Sequence, residues 1–341
     1  MRYTMTFLLA SAATPAMAEP PAVVAGTPVI HSLVAKVMGD LGTPEVLLDR
    51  GGDPHSFQLR PAQAQALADA DLVFWAGPDL TPWMQRAIDG VEGGGELVTL
   101  LEADGLHLQD FQHGHEHDHG HDDEHGHDHD NDHDHDDEQG HDHEEEHGHD
   151  DEHGHDDHGH DEHDHAHDGT DPHAWMNTGN AQIWVDVIAE RLAEHDPDNA
   201  DTYAANAEAA RAEIDAIADD VTATLEPVGD APLIMFHDAY GYLSEQFGVN
   251  VAGTIALGDA AAPGAERISE LQAMLEDAGA VCVFPEVNHS SRYVDVVVEG
   301  TDVRVGAELD PEGVMLDYGP DLYGELMTQM AAQIADCVIA E

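Results

Sequence analysis

The sequence predicts an α/β protein of two (β/α) lobes with parallel sheets, joined by one long rigid helix. Three observations carry this expectation. Short apolar runs alternate with amphipathic helical stretches from residue 22 to residue 101, and the alternation restarts at Pro232. Alternation of this kind implies parallel sheets covered by helices. Between the two arrays, residues 199–225 form an Ala- and acid-rich stretch with Ile214, Ile217, Val221 and Leu225 on one helical face. Such a helix spans about 40 Å, enough to cross a whole domain.

In the first array, residues 22–27 (Ala-Val-Val-Ala-Gly-Thr) read as a buried strand, and 30–38 are apolar at helical spacing up to Gly39. Residues 45–48 form a second strand, followed by the turn signal Asp49-Arg50-Gly51-Gly52-Asp53-Pro54. Residues 61–70 are a helix with Pro61 in its first turn. A strand at 72–76, a helix at 81–88 and a strand at 96–101 complete the array. A helix at 179–194 follows, with Ile183, Val187, Ile188 and Leu192 as its apolar stripe. The second array has strands at 233–236, 251–256, 281–284 and 302–305. Its helices lie at 240–247, 265–278, 292–299 and 322–339. The expected organisation is an export signal at 1–18, an N-terminal lobe at 19–197, a connecting helix at 198–228 and a C-terminal lobe at 229–341.

The N-terminus has the pattern of an export signal. Arg2 supplies a positive start, residues 5–13 are largely apolar, and Ala16-Met17-Ala18 fits a small-x-small cleavage site. The apolar run is too short to span a bilayer, and no later stretch reaches the ~20 residues required. No Cys lies near the cleavage point to accept a lipid, so a protein of the periplasm is expected. The net charge of −62 disfavours nucleic acid and anionic membrane surfaces as partners. Cys282 and Cys337 are the two cysteines. An even count in an exported chain suggests one disulfide, here pinning the last helix to the sheet. No Gly-rich phosphate loop follows a strand.

Residues 113–168 consist almost wholly of His, Asp, Glu and Gly and hold 21 of the 28 histidines. Such a composition cannot bury surface to offset the entropy of ordering, so disorder is expected in the absence of metal. Alternating imidazoles and carboxylates suit Zn²⁺ first, with Ni²⁺ and Cu²⁺ also accommodated. Imidazoles protonate near pH 6.5, so such a tract releases metal as pH falls.

Outside the tract lie His31, His55, His107, His173, His195, His237 and His289. Three of these sit on loops after strands, where α/β sheets place functional groups. His55 lies in Asp53-Pro54-His55-Ser56-Phe57, His173 in Asp171-Pro172-His173-Ala174-Trp175, and His237 in Phe236-His237-Asp238-Ala239-Tyr240. Three neutral imidazoles converging on one cleft make a Zn²⁺ site with a fourth position to fill. Asp171 and Asp238 are placed to orient ligands from behind.

These segments, with Gly306-Ala307-Glu308-Leu309-Asp310-Pro311-Glu312-Gly313, resemble the periplasmic zinc-binding proteins of ABC importers, the metal-specific cluster A-I of solute-binding proteins. The likeness covers essentially the whole mature chain, and a charged His-rich insertion before the Asp-Pro-His motif is itself typical of the zinc members. It implies two lobes joined by one long helix, with the metal in the interlobe cleft on His55, His173 and His237. It further implies delivery of Zn²⁺ to a membrane permease driven by a cytoplasmic ATPase, by a receptor that acts as a monomer and is not an enzyme. The Cys282–Cys337 pair matches a disulfide of some zinc members.

Some zinc members carry Glu just before the first His, where this chain has Pro54. The fourth position therefore falls to water, Asp310, Glu312 or Glu286, with His31 and His289 as outer candidates. Manganese-binding relatives usually carry a carboxylate at the place of His237, and His there shifts preference toward zinc. A manganese or nickel receptor and a zinc-buffering protein remain the alternatives. A zinc hydrolase also uses three His and an open position, but no His-Glu-x-x-His helix is present.

Overall fold

The computed structural model describes residues 20–90, 94–111, 169–256 and 264–339. The expected export signal and the His-rich tract lie outside them. Among the described residues there are two four-stranded, all-parallel sheets, and both have the same strand permutation. The first contains β1 (Val23–Ala25), β2 (Glu45–Val46), β3 (Leu72–Trp75) and β4 (Glu96–Thr99), in the order β2-β1-β3-β4. The second contains β5 (Leu233–Met235), β6 (Val251–Thr254), β7 (Cys282–Val283) and β8 (Arg304–Val305), in the order β6-β5-β7-β8. Every expected strand is found, trimmed at its ends. In β2, β7 and β8 pairing is confined to two residues.

The helices are α1 (Pro28–Met38), α2 (Pro61–Asp69), α3 (Pro82–Gly90), α4 (Thr178–His195), α5 (Ala200–Leu225), α6 (Gly241–Phe247), α7 (Ala265–Ala278), α8 (Arg292–Val297) and α9 (Leu322–Ile339). Their ends carry the expected chemistry. Proline opens α1, α2 and α3, where the missing N–H costs nothing. The Asn177 side chain caps α4 by accepting from Asn180 N at 3.2 Å. Left-handed Gly248 (φ 72°) and Gly279 (φ 64°) end α6 and α7. None of the described helices is long and apolar enough to cross a membrane.

The long helix α5 does more than connect. Tyr203, Ala207, Ala210, Ile214, Ile217, Val221 and Leu225 form one buried stripe along it. That stripe packs on α1, α4 and α9. One continuous hydrophobic cluster therefore includes Leu33 and Phe74 of the first lobe, Ile188 of α4, Ile214 of α5, and Leu233 and Met330 of the second. Two smaller clusters cover the outer faces of the sheets, one around Val73 and Trp83, the other around Ile234 and Leu271. Each fully buried Leu, Ile or Val contributes roughly 1.5–3 kcal/mol. A core shared in this way resists hinge motion between the lobes.

Gly95 allows β4 to begin. A Cβ there would meet Asp71 O at 2.0 Å and Ala70 O at 2.6 Å, both backbone atoms that cannot swing away. Gly95→Ala is expected to destabilise the protein by about 3 kcal/mol, the upper end for overpacking. The readout is a fall of about 10 °C in thermal midpoint. An unchanged midpoint would mean that the sheet edge yields without cost.

Candidate metal centre

The C-terminal ends of the parallel strands face one another across the interlobe cleft and supply all groups of the site except His173, the position expected for ligands in open α/β sheets. His55 lies in the loop after β2. His173 follows the paired segments 109–111 and 169–171, which bridge at Asp110 and Thr170. His237 follows β5, Glu286 follows β7, and Glu312 lies in the turn after β8.

The two Asp-Pro-His motifs use the same local device. Asp53 Oδ1 accepts from His55 N, and Asp171 Oδ1 accepts from His173 N, both at 2.9 Å. An Asp side chain that binds the amide two residues on makes a turn mimic, and proline stiffens the intervening residue. Trp83 Nε1 donates to Pro54 O at 2.6 Å. Trp175 Nε1 donates to Pro311 O at 3.0 Å, tying the second motif to the turn that carries Glu312.

The imidazole orientations are set from behind. His173 Nδ1 lies 2.8 Å from Asp171 Oδ1. The carboxylate only accepts, so the proton sits on Nδ1 and the Nε2 lone pair is left for the cleft. At His237 the same part is played by Glu286, which accepts from His237 Nδ1 and, through Oε1, from Tyr240 OH at 2.7 Å. The sheet dictates this pairing: β5 and β7 align Ile234 with Val283, and three residues further on that register brings His237 to Glu286. Asp238, the neighbour in sequence, was the expected partner.

The ligand atoms of His55, His173, His237 and Glu312 lie within 4.8 Å of one another. Glu312 Oε1 stands 3.9 Å from His55 Nε2, 3.7 Å from His173 Nε2 and 3.9 Å from His237 Nε2. Ligands about 2.0–2.1 Å from a tetrahedral Zn²⁺ are about 3.3–3.4 Å apart. A contraction of about 0.3–0.6 Å would bring Glu312 to that spacing from each of the three imidazoles. His173, His237 and Glu312 are buried, and the His55 side chain is 9% exposed. His237 Nε2 is buried and makes no hydrogen bond with any described residue.

The remaining candidates fall outside this group. Asp310 accepts from Val314 N at 2.9 Å and Met315 N at 2.8 Å, so it shapes the turn and leaves the cleft to Glu312. Glu286 stands behind His237, and His31 packs beside Tyr318.

The charges are strongly coupled. Burial, reinforced by the neighbouring His173, lowers the His55 pKa to about 3 against the pull of Glu312. Burial also opposes charge on His237, but Glu286, as partner and hydrogen-bond acceptor, together with Glu312 raises it to about 9. Burial likewise works against ionised Glu312, yet the surrounding imidazoles hold its pKa below the usual carboxylate range. Burial lifts Asp310 to about 6. Ionised Glu312 and Glu286 together outweigh the charge that His237 carries when metal-free, so the cleft has an electrostatic preference for a cation, which takes the place of the His237 proton.

Comparison with known proteins agrees with this chemistry. The chain is 50% identical over 333 residues to the high-affinity zinc uptake system protein ZnuA of Paracoccus denitrificans, covering 98% of this chain and 96% of that one. It is 40% identical to the protein of that description from Brucella abortus, over 91% and 89% of the two chains. Among solved structures, a ZnuA crystal structure superposes with a TM-score of 0.67 at 20% identity, over 93% and 98% of the chains. A nickel-bound solute-binding protein, FpvC of Pseudomonas aeruginosa, gives a TM-score of 0.70 at 18% identity, over 94% and 97%. The last two likenesses speak to the fold alone. The family described as "ZnuA: Zinc-uptake complex component A periplasmic" matches residues 23–337, and the chain belongs to it.

Proposed function

We propose that this protein is the periplasmic zinc receptor of an ABC uptake system, holding one Zn²⁺ on His55, His173, His237 and Glu312. The observation that carries the reading is the convergence of three imidazole Nε2 atoms on one buried carboxylate oxygen, at 3.7–3.9 Å. Three neutral nitrogen donors and a single carboxylate favour Zn²⁺ over Mn²⁺, which prefers oxygen-rich sites. In a hydrolase the fourth position would be left to water; here Glu312 stands in its place. The His-rich residues 113–168 would act as an accessory, capturing zinc weakly at many points and raising its concentration near the cleft. The zinc-loaded receptor would then dock to a membrane permease powered by a cytoplasmic ATPase.

Calorimetric titration of zinc into the metal-free protein, beside a His55→Ala/His173→Ala/His237→Ala variant, tests the reading. Wild type is expected to show one tight site together with weaker ones, and the variant only the weaker ones. A tight site surviving in the variant would move the principal binding to the His-rich tract and make zinc buffering the better account.

A further inference from the structure

Beside the three-histidine centre lies a second group that shares His237 with it and adds His289, which the function above does not use. The ligand atoms of His237, Glu286 and His289 lie within 4.8 Å of one another. His289 Nε2 is 4.0 Å from Glu286 Oε2, too long for a hydrogen bond and about 0.6 Å wider than two ligands on one Zn²⁺, a gap that a small side-chain rotation closes. Exposure falls along the set: the His289 side chain is 24% exposed, His237 2% and Glu286 1%. The imidazole of His289 is held in place, stacked on Phe236 with centroids 4.3 Å apart and planes 18° from parallel.

The backbone beneath is shaped for this placement. Asn288 has φ 68°, the one positive value outside glycine among the described residues. A side chain in that region costs energy and is tolerated best by Asn and Asp. Here it closes a turn in which His289 N donates to Glu286 O at 3.3 Å. The Asn288 side chain reaches across to Gly52 O at 3.3 Å, in the loop that carries His55. Strain retained at the mouth of a binding cleft marks a placement that the surrounding structure enforces.

We infer that Glu286 and His289 form an outer divalent-cation position through which Zn²⁺ passes on its way to and from the three-histidine centre. The inference rests on the zinc reading given above. The two positions exchange one ion and do not store two. Glu286 fixes the Nδ1–H tautomer of His237, and a cation on Glu286 competes for that carboxylate. Once the ion has moved inward, Glu286 returns to His237 and locks the Nε2 lone pair toward the metal. Such a relay changes rates in both directions and leaves the equilibrium alone, because it lowers a barrier without adding a ligand to the final site.

The test is stopped-flow tryptophan fluorescence on the full chain, since Trp175 packs 5.3 Å from His173 and reports on the centre. Zn²⁺ at less than one equivalent gives the association rate, and mixing the zinc-loaded protein with EDTA gives the release rate. Wild type is compared with His289→Ala and with His289→Phe, which keeps a ring to stack on Phe236 and removes the ligand nitrogen. Both variants are expected to slow association and release at least tenfold, with Kd unchanged within about twofold. If His289→Phe matches wild type, His289 is a packing residue and the proposal falls. It also falls if Kd weakens at one rate's expense, which would make His289 a ligand or support of the inner centre, or if neither variant changes a rate. A His173→Ala arm keeps the underlying reading separate. If that variant retains wild-type tight binding, the inner centre itself is misassigned, whatever His289 does.

Discussion

Glu312→Gln is expected to weaken zinc binding by about 100- to 1,000-fold while the fold is retained. A zinc site of four protein ligands is worth roughly 10–16 kcal/mol in favourable cases, so one ligand carries about 2.5–4 kcal/mol. Glu312 is the only anion in the group, and its Oε1 is the atom that faces all three Nε2 nitrogens. The amide occupies the same volume and still hydrogen-bonds an imidazole, so packing survives while the charge and the strong oxygen donor are lost. Asp310→Asn is the matched control. Its carboxylate is committed to the amides of Val314 and Met315, so that change should lower stability by about 1 kcal/mol, the scale of one hydrogen bond, with little effect on zinc. Calorimetry reads the affinity directly. Thermal unfolding at fixed excess zinc gives an independent value, because a hundredfold loss of affinity removes about 2.7 kcal/mol of ligand stabilisation. If Glu312→Gln binds as tightly as wild type, water is the fourth ligand and the carboxylate acts only through the field it sets up.

That pair of acids shows where sequence reading stops. The convergence of His55, His173 and His237 was legible from their motifs, two of them Asp-Pro-His and the third directly after the apolar run 233–236, because parallel sheets gather the loops that follow their strands. Asp310 and Glu312 stand two residues apart in Asp310-Pro311-Glu312, and nothing in their spacing says which one turns inward. The choice is made by the turn, where Gly313 takes φ 68° and the following amides claim Asp310. Glu286 was legible as a candidate ligand and not as the group that orients His237. That role depends on the β5–β7 register, a contact between segments 49 residues apart. Helix α5 was likewise visible as a long amphipathic helix, but its contribution to a core shared by both lobes needs the tertiary arrangement. Ala207 and Ala210 are small enough to allow close helix approach, and only the packed neighbours reveal what approaches them.

Removing the disulfide is expected to cost about 4 kcal/mol without disabling the metal centre. Cys282 in β7 and Cys337 near the end of α9 are bonded across a sequence separation of 55. In the chain-entropy account, opening a loop of that length releases about 4 kcal/mol of constraint from the unfolded ensemble. A double Cys282→Ala/Cys337→Ala variant should therefore unfold about 10 °C lower than wild type. Zinc affinity should change by less than about threefold, because the folded geometry has other anchors. β7 pairs on both sides, with β5 and with β8, and Arg304 Nη2 donates to Val338 O at 2.9 Å beside the bridge. The same strand leads into Glu286, so the two readouts separate two roles. A large fall in stability with intact affinity means that the bridge acts on the unfolded chain. Parallel losses would mean that it holds β7, and with it the carboxylate that orients His237, in the native register.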